Sequence, residues 1–240
     1  MKRKACTAII LAAGQGKRMG GKVHKQFLEL LGHPVVYYSI RTFQESPLID
    51  RILLVTGESE MDYVKNEIVE KYHFHKVCAV VAGGQERYAS VWNGLQALKK
   101  CLTEEEKDGY VFIHDGVRPF VNEEILYRAF DAVNAHHACV VGMPSKDTVK
   151  IADANGFVSE TPARSRVWNV QTPQVFDFRL AYEAYAALEQ SGRSDVTDDA
   201  MIVEAFTDTK VKLVEGSYEN IKLTTPEDLK IAATFLHNQK

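Results

Sequence analysis

Short apolar runs rich in β-branched residues alternate along the chain with longer stretches whose apolar positions recur every three or four residues. Ala8–Ala12, Arg51–Thr56, Lys76–Val81, Tyr110–His114 and Ala138–Met143 read as strands. Between them, segments near Val35–Gln44, Met61–Tyr72, Gln85–Lys100 and Glu123–Ala135 have helical periodicity. Strands that are apolar almost throughout, separated by helices, predict βαβ units. The expected fold class is α/β: a mostly parallel twisted sheet with helices on both faces. In such sheets ligands bind beyond the carboxyl ends of the strands, so chemistry is expected in the loops there.

The rhythm breaks at Pro144. Residues alternate along Lys146–Asp153, Asn155-Gly156 is a strong hairpin-turn signal, and Phe157–Thr161 can return as the second strand. A hairpin inserted into βα alternation is either a lid or an arm that reaches a partner. Helices are expected again over Phe178–Gln190 and Thr197–Ala205, with short strands near Lys212–Glu215 and Asn220–Leu223. A last helix starts at Thr225-Pro226-Glu227, with Thr225 as N-cap and Pro226 at the first helical position. No linker, repeat or low-complexity tract divides the sequence. It reads as one domain, 1–240, with a protruding β-hairpin arm at about 144–170.

Composition narrows the class of protein. Of 240 residues, 45% are hydrophobic and 25% charged, as in ordinary soluble globular proteins. A formal charge of −3 argues against electrostatic coating of nucleic acid. The charge is unevenly placed, however. Residues 1–28 hold seven Lys and Arg and no acid, so the remaining chain carries −10. A cationic end on an acidic chain suggests an anion site. Cys6, Cys78, Cys101 and Cys139 are scattered with no CxxC pair, the pattern of reduced thiols in the cytoplasm. Lys2-Arg3-Lys4 before the apolar run Ala5–Ala13 has the look of a secretory signal. The run continues directly into Gly14-Gln15-Gly16-Lys17-Arg18, so a first core strand is the better reading. No segment has the length and apolarity of a membrane helix.

The candidate chemistry starts where that strand ends. Ile9–Ala12 runs into a Gly-rich basic loop through Gly20. Glycines let a backbone approach an anion closely and turn successive N–H groups toward phosphate oxygens. Neither common template fits. Gly14, Gly16 and Gly20 are one residue too widely spaced for the dinucleotide fingerprint. In the P-loop register of Gly16, Gly21 and Lys22, Val23 lacks the hydroxyl that would hold Mg²⁺. The preference for phosphate remains.

The motif A-A-G-x-G-x-R-M followed by Lys25-Gln26-Phe27 resembles the opening of nucleotidyltransferases that join an NTP to a sugar or polyol phosphate. Later segments narrow the resemblance: Gly83-Gly84 with Arg87, Ser90-Val91 and Asn93-Gly94-Leu95; His114-Asp115-Gly116-Val117-Arg118-Pro119; and Asp147-Thr148-Val149-Lys150. Arg164-Ser165-Arg166-Val167-Trp168, Gln171-Thr172-Pro173-Gln174, Thr197-Asp198-Asp199-Ala200 and Asn220-Ile221-Lys222 complete the set. In that order they resemble the 2-C-methyl-D-erythritol 4-phosphate cytidylyltransferases of non-mevalonate isoprenoid synthesis.

The resemblance implies a Rossmann-like, nucleotide-diphospho-sugar transferase-like form of the α/β fold. It implies transfer of CMP from CTP to methylerythritol phosphate, with release of pyrophosphate. Arg18 and Lys25 match the pair that stabilises the pentavalent phosphorus. Ala13, Gly14 and Gly16 match the triphosphate cradle, and Gly83, Gly84 and Ser90 the cytosine pocket. Asp115, Thr148, Arg164, Thr172 and Lys222 match positions that grip the alcohol phosphate. Asp115 could equally meet Mg²⁺, or another divalent cation, held mainly by CTP phosphates. The resemblance also implies that the hairpin arm crosses to a second copy, giving a homodimer with shared sites. Expected partners are thus CTP, a polyol phosphate and a second copy, with neither nucleic acid nor membrane. One departure stands out: His24 replaces the proline usual before the catalytic lysine.

Other residues read as structural. His73, His75, His136 and His137 lack metal-site spacing, and Trp92 and Trp168 read as core or arm packing. Asp198-Asp199 reads as a helix cap with acids in the first turn. Two rival readings remain: a cytidylyltransferase for another polyol phosphate such as ribitol 5-phosphate, and a non-catalytic nucleotide-binding module. Arg87–Val91 and Thr161–Trp168 favour the methylerythritol phosphate reading over the ribitol one, and the presence of Arg18, Lys25 and Lys222 together argues against a non-catalytic module.

Overall fold

Residues 3–14 and 24–238 are described in a computed structural model of the chain. The expected strands form with boundaries within about two residues: β1 (Cys6–Ala12), β2 (Arg51–Thr56), β3 (Val77–Ala82), β4 (Tyr110–Asp115) and β5 (Ala138–Pro144). A ten-residue strand, β6 (Trp168–Asp177), and a short β7 (Lys212–Glu215) follow. They make one seven-stranded sheet in the order β7-β5-β6-β4-β1-β2-β3. All neighbours are parallel except β6, which runs antiparallel to both β4 and β5.

The longer helices are α1 (Val35–Glu45), α2 (Arg87–Cys101), α3 (Glu123–His136), α4 (Phe178–Ser191), α5 (Asp199–Phe206) and α6 (Pro226–Asn238). Period-two alternation divides the strands between two cores. Ile10, Ile52, Leu54 and Phe112 pack with Ile40 and Phe43 of α1 and Ile125 and Ala129 of α3. Ile9, Leu53, Val55 and Ile113 pack on the other face with Leu95 of α2, Tyr185 of α4 and Val203 of α5. Burial on both faces is why these strands are apolar throughout. Among the described residues, no helix is long and apolar enough to cross a membrane.

Two expectations are corrected, and one unpredicted strand is added. The helix expected over Met61–Tyr72 has α-helical residues only at Met61–Tyr63. Val64–Glu70 then winds more widely, with the Lys71 N–H reaching back five residues to the Asn66 carbonyl (3.2 Å). Asn220–Leu223 is a loop rather than a strand, because its backbone bonds go elsewhere: Arg118 donates to the Asn220 carbonyl (2.8 Å) and Leu223 N–H to Val117 (2.9 Å). Strand β6 was hidden by Pro173, which cannot donate to a ladder. It is accommodated where the β6–β5 register slips between Val170 and Gln174, and the Thr172–Pro173 peptide is cis.

The hairpin excursion is present. Ile151–Ala152 pairs with Val158–Glu160, and the turn is built on Asp153, whose carboxylate accepts from the N–H of Asn155 and Phe157 (2.9 Å each). Gly156 takes φ +84°, which a side chain would resist. The predicted cap at Thr225 also forms: Asp228 N–H donates to Thr225 Oγ1 (3.4 Å), and its carboxylate accepts from Thr225 N–H (2.8 Å).

Candidate active site

The first three strands step outward in one direction, β1 to β2 to β3, and the chain then returns to place β4 on the other side of β1. That reversal leaves a crevice at the carboxyl ends of β1 and β4, where Leu11 and Asp115 lie in register. A cleft of about 390 Å³ opens there, lined by Ala13, Gly14, Lys25, Gly84, Arg87, Ser90, Asp115 and Lys222 among others. Buried Gln26 donates from Nε2 to the Ala12 carbonyl and so ties the turn bearing Lys25 to the end of β1. His24, in the position of the usual proline, lies 3.3 Å from Glu60 through Nδ1.

The wall from β3 to α2 needs its glycines. A Cβ on Gly83 would sit 2.5 Å from the Ala13 Cβ and 2.9 Å from Ser90 Oγ. A Cβ on Gly84 would meet the Ala89 Cβ at 2.5 Å. Ser90 Oγ accepts from the Gly84 N–H (3.1 Å) and donates to the Glu86 carbonyl (3.2 Å), closing the turn.

The floor of the cleft is ionic. Asp115 Oδ1 accepts from Arg87 Nε (3.1 Å), Oδ2 lies 2.8 Å from Lys222 Nζ, and Arg118 Nε stands at 3.9 Å. Burial alone would raise the Asp115 carboxyl, but Arg87, Lys222 and Arg118 outweigh it and hold the group well below the ordinary carboxylate range. Arg87 also binds Asp199 with both terminal nitrogens (2.7 and 2.8 Å). Burial disfavours its charge, yet Asp199 and Asp115 raise its pKa well above the usual value. Three cations thus share two buried carboxylates, leaving positive charge for an anionic ligand.

Behind Asp115, the Thr172 hydroxyl accepts from the Asp115 N–H (3.1 Å) and meets His114 Nδ1 (3.0 Å). His114 Nε2 faces the Arg118 carbonyl (3.2 Å) and must therefore carry the hydrogen, so Thr172 donates to Nδ1. Buried Asn220 donates to the Thr172 carbonyl (2.9 Å) and to Gln171 Oε1 (3.2 Å), bringing the Lys222 loop against β6.

The structure gathers most of the residues singled out from sequence. Ala13, Gly14, Lys25, Gly84, Ser90, Asp115 and Lys222 line the cleft, and Gly83 lines a recess beside it. Thr172 lines a second cleft of about 320 Å³ that shares Arg87, Asp115 and Lys222 with the first. Thr148 and Arg164 are exposed on the arm and line neither cleft; Arg164 Nη1 donates to the Lys146 carbonyl (3.4 Å). Gly16 and Arg18 lie outside the described residues. Sequence reasoning gave no part in the site to Gln26, Arg87, Arg118 or Asp199, reading Asp199 only as a helix-start acid. Arg87 and Arg118 sit inside motifs already quoted, each beside a strand end, which is the signal that marks them.

Among the described residues, no three His, Cys, Asp or Glu converge as a metal cage. Asp115 offers one carboxylate, already engaged by Arg87 and Lys222. That donor set fits a cation brought on a ligand's phosphates rather than one resident in the protein.

The sequence pattern of the family described as IspD, 2-C-methyl-D-erythritol 4-phosphate cytidylyltransferase, matches residues 6–238. The chain belongs to this family. The protein named 2-C-methyl-D-erythritol 4-phosphate cytidylyltransferase from Lachnospira eligens is 47% identical over 96% of this chain and 98% of its own. The one of the same name from Lachnoclostridium phytofermentans is 45% identical over 98% and 97%. A crystal structure of 4-diphosphocytidyl-2C-methyl-D-erythritol synthase from Anaerococcus prevotii superposes with TM-score 0.83 at 38% identity, covering 98% of this chain and 99% of that one. The fold of that synthase is thus shared over 98% of the chain.

Proposed function

We infer that the chain transfers CMP from CTP to 2-C-methyl-D-erythritol 4-phosphate, giving 4-diphosphocytidyl-2-C-methyl-D-erythritol and pyrophosphate. The observation that carries this reading is the convergence of Lys25, Arg87, Asp115 and Lys222 on one cleft at the strand reversal of a cytidylyltransferase fold. The phosphate-monoester oxygen attacks the α-phosphorus of CTP, that P–O bond forms, and the bond to pyrophosphate breaks. The monoester is already anionic near neutral pH, so positioning and charge neutralisation matter more than proton removal.

Within that reading, Lys25 and Arg18 neutralise the charge that builds on the α-phosphorus. Backbone N–H groups at Ala13, Gly14 and Gly16 hold the triphosphate, and the side-chain-free backbone at Gly83 and Gly84, braced by Ser90, meets the base. Lys222 faces the phosphate of the alcohol substrate and the Asp115 carboxylate its hydroxyls, Thr172 fixes Asp115 from behind, and Thr148 and Arg164 reach the substrate from the arm. Mg²⁺, or another divalent cation, would be held by the CTP phosphates with Asp115 as the protein's contribution, and it supplies neutralisation of the triphosphate when bound.

The arm supports a homodimer. Phe157 and Val158 are 73% and 60% exposed on a two-stranded hairpin, which rarely stands alone without a surface to pack against. Four unpaired thiols support action in the reducing cytoplasm.

The test is pyrophosphate release with CTP and Mg²⁺, comparing methylerythritol phosphate with ribitol 5-phosphate. Turnover with the first far above the second is expected. Faster turnover with ribitol 5-phosphate would reassign the substrate, and release with neither would overturn the catalytic reading.

A further inference from the structure

The expected helix start forms, with Asp198 as cap and Asp199 as the acid in the first turn, but the Asp199 carboxylate does more than that. Asp198 is the cap, accepting from the Met201 N–H (3.0 Å), and Gln174 braces the same turn through Asp198 and the Ala200 N–H. The Asp199 carboxylate is fully buried and turned away from the helix. It accepts from Arg87 Nη1 and Nη2, which arrive from 112 residues earlier, and from the Tyr185 hydroxyl.

A guanidinium has five N–H donors in a rigid planar fork. Once Asp199 takes both terminal nitrogens end-on, the plane is fixed, and Nε is the edge presented to Asp115 Oδ1. The result is a continuous chain from Tyr185 through Asp199 and Arg87 to Asp115, with Lys222 at its far end. Arg87 lines the cleft. A long cation there with no anchor would turn to the nearest phosphate and leave Asp115 without a partner on Oδ1.

We propose that Asp199 is a positioning residue for nucleotidyl transfer: it holds Arg87 on Asp115, so that Arg87 organises the Asp115–Lys222 pair instead of seizing the triphosphate. The proposal rests on the cytidylyltransferase reading for its kinetic consequence. Its effect on anion binding does not need turnover.

The experiment measures pyrophosphate affinity by calorimetry, and kcat and KM for CTP, in wild type, Asp199→Asn, Arg87→Gln and the double variant. Asp199→Asn gives up the carboxylate that holds Arg87 and frees it to turn to the ligand, so pyrophosphate should bind at least about threefold tighter. Turnover should move the other way: kcat at least about tenfold lower with KM for CTP not raised, the mark of a misplaced rather than missing group. In the Arg87→Gln background, Asp199→Asn should change either quantity by less than about twofold, because the two residues act as one unit.

A merely structural Asp199 would weaken pyrophosphate binding and turnover together, or act undiminished without Arg87; either result overturns the proposal. Should Asp199→Asn fail to fold, Tyr185→Phe loosens the same carboxylate while keeping its charge. It should lower kcat in the wild-type background and have no effect beside Arg87→Gln; equal effects in both backgrounds overturn the proposal. If the wild type releases no pyrophosphate from CTP and methylerythritol phosphate, the functional reading fails. The calorimetric comparison then still decides the role of Asp199.

Discussion

His114 is sealed from solvent between Thr172 and the Arg118 carbonyl, and its ring packs against Phe43 at a centroid distance of 5.1 Å. Burial lowers its pKa to about 4, with Asp115 opposing that shift. An unfolded histidine takes up its proton near 6.5. Between these values the unfolded chain binds the proton and the folded chain does not. Stability is therefore lost as pH falls from about 6.5 to about 4, by a total on the order of 3 kcal/mol. Asp115 behaves differently: its folded pKa is depressed, so its contribution is complete above the usual carboxylate range and falls only below it. The two windows can be separated by measuring denaturant unfolding from pH 7.5 to pH 3. His114→Gln should flatten the upper window and leave the lower one. An unchanged slope above pH 4 in that variant would mean that other groups cause it.

The same residues show what a sequence can and cannot display at this scale. Asp115 and Lys222 were recognisable because each stands in a motif. The buried role of Asp199 depends on Arg87, 112 residues away, meeting its carboxylate, and no local pattern records such a pairing. Read locally, an acid after Thr197-Asp198 is a helix-start residue, and the physical cap is indeed one position earlier.

At the scale of elements, the strand ends are held by close packing as much as by hydrogen bonds. The join of β3 to α2 passes so near β1 that Gly83 has room for no side chain: a Cβ would lie 2.5 Å from Ala13 and 2.9 Å from Ser90. Gly83→Ala must push the β1 loop or the α2 start away from the cleft, and both carry candidate nucleotide contacts. We expect CTP affinity to fall by at least about tenfold while the melting temperature drops by only a few degrees, because overpacking here is local. Calorimetry with CTP alongside thermal unfolding checks this, and unchanged affinity would mean that the wall yields without disturbing the site. The periodicity that located β1 to β5 and α1 to α3 works because those elements are buried on predictable faces. It missed β6 because Pro173 sits at a register slip, where tertiary pairing overrides local preference. It placed a strand at Asn220–Leu223 because an apolar–polar alternation there serves a loop tied to Thr172 and Val117.

At the scale of the whole molecule, the arm decides whether one chain makes a complete site. The proposed function gives Arg164 and Thr148 to the alcohol phosphate, yet both stand on the arm and line neither cleft of their own chain. Ile151, Phe157 and Val158 are exposed along the same hairpin, 45%, 73% and 60%. An arm that crosses to a second copy would bring Arg164 of one chain to Lys25 and Lys222 of the other. Mixing variants tests this geometry directly. Lys25→Ala and Arg164→Ala should each be strongly impaired alone. In a mixed dimer, one site combines both defects, and the other combines an intact cleft with an intact arm. After exchange of equal amounts, half the dimers are mixed and each has one competent site, so turnover should recover to about one quarter of wild type. An arm folded as a lid over its own cleft leaves every chain with one defect, and mixing then restores nothing. Full activity of Arg164→Ala by itself would remove the arm from the reaction altogether.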